Sequence, residues 1–202
     1  MASDLSAITD DLSSLDGSGK WFVAGFFEGP VLAFKFEKWQ PLDLALAGSW
    51  IGPSEWVSDT YETEYVANVE FAQQKIAEGD VYQVNVCRQM SAEWPQDSDA
   101  DPLALFALLS DGNPAPYLSL LHVVDERLAQ WGKSEVVIVS ASPELFLKRR
   151  EADLLSSPIK GTASDPDGFL EKDISENIMI VDLVRNDLSQ VCDVASVHVP
   201  HL

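Results

Sequence analysis

The sequence predicts an α+β fold, with several antiparallel strands and a few helices set against them. Three observations carry this. Short apolar runs follow one another between positions 117 and 156, separated by turns. Two stretches, 61–78 and 171–190, instead place apolar residues at helical spacing. Two aromatic runs, 20–27 and 31–36, flank Glu28-Gly29-Pro30 in the pattern of a β-hairpin. Strands in succession with helices elsewhere in the chain are the signature of the α+β class.

Taken in order, residues 1–19 read as a frayed lead-in, the hairpin follows, and 38–60 is loop-like, rich in Gly, Pro, Ser and Trp. Tyr65, Val69, Ala72 and Ile76 mark the helical face of 61–78, and Gly79 is a natural stop. A strand is expected over 81–90, with Tyr82, Val84 and Val86 on one side and Gln83, Asn85 and Cys87 on the other. Residues 92–101 form an acidic loop, Asp101-Pro102 opens a short helix over 103–109, and Asn113-Pro114-Ala115-Pro116 makes a rigid turn. Strands are expected at 117–124, 127–131, 135–141, 145–148 and 153–156. The helix over 171–190 carries two stripes. Ile174, Ile178, Val181, Val184 and Leu188 form an apolar one; Asp173, Glu176, Ile180, Leu183 and Asp187 form a mixed one. A helix apolar on two sides is expected between layers, and acids there need a partner or a metal. Arg185 is placed to pair with Asp182 at i, i+3.

Composition limits the function. A chain of 202 residues holds one or two domains. A net charge of −20 argues against nucleic-acid and anionic-membrane partners. It also repels an anionic substrate, for which a metal ion is the usual remedy. No apolar run approaches a membrane span, and the acidic N-terminus lacks a signal pattern. Cys87 and Cys192 suggest neither a disulfide framework nor a metal knuckle. The expectation is a cytoplasmic protein with reduced thiols.

Few residues are suited to chemistry. Lys160 lies in Pro158-Ile159-Lys160-Gly161-Thr162. Pro158 stiffens the approach, and Gly161 lets a ligand reach backbone N–H groups. Lys160 is either a surface loop lysine or a nucleophile or base. Glu144, after Pro143, is either a turn-end carboxylate or a general acid. Asp173 and Glu176 share a helix face. They either complement the helix N-terminus or coordinate a hard cation such as Mg²⁺. Gln83 and Asn85 read as members of a polar network.

Four segments resemble the chorismate-binding enzyme family in order and spacing. They are Gly79-Asp80-Val81-Tyr82-Gln83-Val84-Asn85, Ser140-Ala141-Ser142-Pro143-Glu144, Pro158 to Thr162, and Ser175-Glu176-Asn177-Ile178-Met179-Ile180-Val181-Asp182-Leu183 running on to Arg185-Asn186-Asp187-Leu188. The resemblance covers about 61–202. It implies a two-layered sandwich of antiparallel sheets with flanking helices, here incomplete. Residues 1–60 would be a shortened N-terminal region, and 61–202 the N-terminal part of a catalytic domain whose remainder is missing beyond Leu202.

The lysine at 160, where anthranilate-forming members usually carry alanine, implies the aminodeoxychorismate branch. There Lys160 would be the nucleophile, Glu144 the acid, and Gly161 and Thr162 substrate contacts. Glu176, with Asp173 nearby, would hold Mg²⁺. A glutamine amidotransferase would supply ammonia. The alternatives are an anthranilate synthase component or another chorismate enzyme, and an inactive remnant that only binds a partner. The usual Arg-Pro-Arg after Gly-Thr is replaced by Ala163-Ser164-Asp165, which removes positive charge near the site.

Overall fold

The computed structural model describes residues 1–25, 29–41, 50–94, 100–160 and 171–200. The chain divides into two compact units, Met1–Ala45 with Phe106–Leu202, and Leu46–Leu105. It is a mixed helix and sheet structure, and every strand pairing among the described residues is antiparallel.

The first unit departs from expectation at its start. Residues expected to be frayed form strand β1 (Ala2–Thr9). It pairs with β3 (Val31–Trp39), from Ala2 opposite Trp39 to Thr9 opposite Ala33. Strand β2 (Lys20–Gly25) closes the predicted hairpin on the other side of β3, giving the order β1-β3-β2. The β1 signal is hidden by a bulge between Leu5 and Ala7. Leu5 and Ile8 are three residues apart, so regular alternation would send them to opposite faces. The extra residue in the bulge resets the phase, and both pack against the core.

Strand β6 (Tyr117–Val124) pairs along its length with β7 (Glu135–Ser142). The segment between them, expected as a strand, is a 3-10 turn over Glu126–Trp131. Local caps override the apolar alternation. The Asp125 carboxylate accepts the Arg127 N–H at 2.9 Å, and Gly132 closes the turn in the left-handed region at φ 68°. The core forms where these pieces meet, from Leu32 and Phe34 on β3, Leu121 and Val123 on β6, and Leu128 in the turn. The Arg127 guanidinium reaches back to β1 and donates to the carbonyls of Leu5 and Ser6 at 3.3 and 3.0 Å. It thus bonds carbonyls at the bulge, where the β1–β3 register shifts.

Strands β8 (Leu145–Arg150) and β9 (Asp153–Ser157) form a hairpin with Glu151 in its turn at φ 56°. The long helix spans Glu171–Leu188, with the expected Arg185–Asp182 ion pair at 2.6 Å. Its apolar stripe is not buried as expected: Ile174 is 58% and Ile178 49% exposed. No described element packs extensively on that stripe.

In the second unit, helix α1 (Glu62–Glu78) ends where expected, at Gly79 in the left-handed region. The strand expected over 81–90 is absent. Only Met90–Ser91 (β5) pairs, with Val57–Ser58 (β4). Residues before it turn instead toward α1, where the Tyr65 hydroxyl donates to the Val86 carbonyl at 3.3 Å. Of the expected polar network one bond is seen, Gln83 donating to Asn85 at 3.3 Å, while the Gln83 Oε1 is buried without a partner among the described residues. Helix α2 (Pro102–Gly112), divided by the unit boundary after Leu105, opens on Asp101, whose carboxylate accepts the Leu103 N–H at 2.9 Å. The helix over Glu171–Leu188 is therefore α3. No helix among the described residues is long and apolar enough to cross a membrane.

Candidate functional site

Two prolines set the geometry around Glu144 and Lys160. Proline has no N–H and cannot extend a ladder. Pro143 therefore follows the last paired residue of β7, Ser142, and Pro158 follows the last paired residue of β9, Ser157. Because Leu145 sits opposite Ser157, residues just before β8 and just after β9 emerge at the same end of the hairpin. Glu144 and Ile159 are the first N–H donors beyond the two prolines.

They meet there. The Ile159 N–H donates to the Glu144 carboxylate at 3.0 Å. Glu144 itself is gripped from behind. The Ser142 hydroxyl donates to the Glu144 carbonyl at 3.0 Å and accepts the Glu144 N–H at 3.4 Å. Lys160 follows directly, half-buried, while the Glu144 side chain faces solvent. Among the described residues Lys160 forms no ion pair. The structure thus brings Glu144 to the backbone beside Lys160 across 15 residues of sequence. Gly161 and Thr162 lie outside the described residues.

Asp173 and Glu176 lie on α3. Lys172 stands 3.5 Å from Glu176, both side chains well exposed, so the pair is screened and weak. Asn177 adds a further oxygen. Its Oδ1 is buried and finds no hydrogen-bond partner among the described residues. At 100° per residue, Glu176, Asp173 and Asn177 fall within about 100° of the helix circumference. Carboxylate and amide oxygens are the donor types that a hard cation keeping several waters takes. Among the described residues no group of three His, Cys, Asp or Glu comes together, so Glu144 does not join these two acids.

Sequence reasoning missed Ser142 and Asn177. A serine two residues before Glu144 is a turn-forming signal. Nothing in the pattern around Asn177 marks its oxygen as buried. Two hollows among the described residues lie elsewhere. One, about 360 Å³, lies between α1 and residues 81–87, lined by Phe71, Ala72, Val84 and Cys87 among others. The other, about 160 Å³, borders the core at Leu32, Phe34 and Val136.

Comparison with known proteins gives a consistent result. The family described as chorismate binding enzyme matches residues 42–202. Aminodeoxychorismate synthase of Arabidopsis thaliana, a chloroplastic protein by name, is 36% identical over 162 residues, 74% of this chain and 16% of its own length. Aminodeoxychorismate synthase component 1 of Klebsiella aerogenes is 31% identical over 169 residues, 78% of this chain and 34% of its own. Anthranilate synthase component 1 of Haloarcula marismortui is 34% identical over 196 residues, 86% of this chain and 37% of its own. The chain thus spans well under half the length of these relatives. No solved structure matches significantly.

Proposed function

The chain belongs to the chorismate-binding enzyme family, and we propose that it carries part of the site that converts chorismate and glutamine-derived ammonia to 4-amino-4-deoxychorismate. The observation that carries this reading is the Glu144 carboxylate held on the Ile159 N–H, beside Lys160. In this reading Glu144 is the acid and Lys160 the nucleophile, both at one end of one hairpin.

In this reading the neutral Lys160 amine attacks C2 of chorismate. A C–N bond forms, the ring double bonds shift, and the C4–O bond breaks. Glu144 protonates the departing oxygen, which leaves as water. Ammonia then bonds to C4 as the C2–N bond to Lys160 breaks. The sum is chorismate plus ammonia giving product plus water. Gly161 and Thr162 would contact the substrate.

Asp173 and Glu176, with the Asn177 oxygen, would hold Mg²⁺. That ion supplies positive charge for a substrate carboxylate on a chain of net charge −20. A glutamine amidotransferase subunit or domain would deliver ammonia, and the cytoplasm is the proposed setting. The proposed architecture is the incomplete two-layered sandwich of antiparallel sheets, with 1–60 as the N-terminal region and 61–202 as part of the catalytic domain.

The anthranilate reading draws on the similar identity to the Haloarcula protein; lysine at 160 favours the aminodeoxychorismate product. The test is Lys160→Ala in the full-length protein, with product identified from chorismate and glutamine. Loss of a covalent nucleophile is expected to lower kcat by orders of magnitude. A variant with unchanged kcat, or anthranilate as the wild-type product, overturns the reading.

A further inference from the structure

We infer that Ser142 is a positioning residue for the lysine loop, acting through Glu144, and that the Glu144 carboxylate latches that loop in addition to serving as an acid. The inference rests on the reading of Lys160 and Glu144 given above, but its geometry stands without it.

The ladder between β8 and β9 stops at Leu145 and Ser157. Pro158 offers no donor, so the main chain carrying Ile159 and Lys160 leaves the sheet with no backbone partner among the described residues. The Glu144 side chain supplies one, 3.0 Å from the Ile159 nitrogen. A carboxylate on a free side chain would sample several rotamers. Here the backbone behind it is fixed. The Ser142 hydroxyl spans the Pro143 step and bonds both the carbonyl and the N–H of Glu144. Ser142 is in turn anchored at the end of β7, opposite Tyr117. The fixation thus runs from the β6–β7 sheet through one hydroxyl and one carboxylate to the residue before Lys160.

The latch and the acid make different demands at position 144. Holding the Ile159 N–H needs only an acceptor oxygen, which glutamine also offers. Donating a proton to the leaving group needs a carboxylic acid. Glu144→Gln therefore keeps the latch and removes the acid, while Glu144→Ala removes both.

The experiment is amide hydrogen exchange resolved at Ile159 and Lys160 in the 202-residue chain, with amides of Leu121 and Val123 as controls. Losing one such bond is expected to speed Ile159 exchange about fivefold to tenfold in Glu144→Ala and in Ser142→Ala. Glu144→Gln and Ser142→Thr are expected to stay within about threefold of the parent, since each retains an acceptor or a hydroxyl. The controls should not change. Equal Ile159 exchange in all variants overturns the inference, as does acceleration that includes Leu121 and Val123. If Ser142→Ala fails to fold, the contrast between Glu144→Gln and Glu144→Ala, whose side chain is exposed, decides alone. In the full-length protein Ser142→Ala should lower kcat with KM little changed, and Ser142→Thr should restore it. If exchange behaves as expected while Lys160→Ala keeps full turnover, the latch survives and the proposed chemistry fails. The opposite pairing sinks the latch and leaves the chemistry standing.

Discussion

In the first unit, the region around β3 and β6 and the region around β8, β9 and α3 are built on different principles. Phe34 and Leu128 are fully buried in the former, with Leu5, Ile8 and Phe22 packed around their cluster. In the latter, Phe146 on β8 is 89% exposed and the apolar stripe of α3 faces outward at Ile174 and Ile178. The candidate chemistry lies in the second region. Burial stabilises the core region, whereas the lysine loop is held by the Ile159 N–H donating to Glu144, whose backbone is bonded to the Ser142 hydroxyl. The lesson is that fold stability and site geometry can be disturbed separately in this chain.

The largest expected contrast sets one buried against one exposed phenylalanine. Phe34→Ala should destabilise the chain by about 3–5 kcal/mol, through lost burial and a residual cavity. Urea unfolding followed by tryptophan fluorescence measures it, and a midpoint unchanged from the parent would refute the assignment of the core. Next is Glu176→Gln in the full-length protein, which should raise the Mg²⁺ needed for half-maximal activity about tenfold or more. The melting temperature should barely move, because the side chain is partly exposed and its pair with Lys172 is weak. A fall in stability with an unaltered Mg²⁺ titration would reverse the roles assigned to the two regions.

Smaller effects should appear where β1 is tied to the core region. Arg127→Ala removes the donors to Leu5 and Ser6 and should cost about 1 kcal/mol. The loss should concentrate in β1, read as faster limited proteolysis near the N-terminus. The bonds between Arg127 and Asp125 give a pH dependence. Hydrogen bonds from the Arg127 side chain and then its N–H pull the Asp125 carboxyl down to about 2. A carboxyl lowered in the folded state stabilises it above the unfolded value near 3.9, and that contribution disappears as pH falls toward 2. Melting temperatures of Asp125→Asn should therefore decline less between pH 4 and 2 than those of the parent; parallel curves would count against the contact. Smallest of all, Phe146→Ser should stay within about 0.5 kcal/mol of the parent. A larger loss would mean that β8 is covered in solution.

Much of this was legible in the sequence, for reasons visible in particular residues. The sequence predicts strand β6 at the bounds it adopts, because Tyr117–Val124 is a mostly apolar run ending in Val123-Val124 between a proline turn and Asp125. The end of α1 at Gly79 followed from the one residue type that enters the left-handed region freely. Strand β1 was missed because a bulge breaks its alternation. Apolar spacing predicts a strand at 127–131, but the caps Asp125 and Gly132 outweigh it and make a 3-10 turn over Glu126–Trp131. Residues 81–89 alternate like a strand but lie against α1 instead, bonded at Val86; alternation does not name the partner.

The site was legible in part. Glu144 and Lys160 were named from their flanking prolines and from family resemblance. The bond from the Ile159 N–H to Glu144 required the hairpin register, which depends on pairings between distant residues. Ser142 required that register too. The two carboxylates on α3 were legible from their spacing, whereas the buried oxygen of Asn177 was not.

The central claim is that Lys160 is a covalent nucleophile working beside Glu144 at the open end of the β8–β9 hairpin. Its most direct test is to incubate the full-length protein with chorismate in the absence of any ammonia source and take the mass of the peptide containing Lys160. The expected result is a covalent adduct equal to chorismate less one water on that peptide, absent in Lys160→Ala and reduced in Glu144→Gln. An unmodified Lys160 peptide, together with undiminished turnover of Lys160→Ala once ammonia is restored, would contradict it.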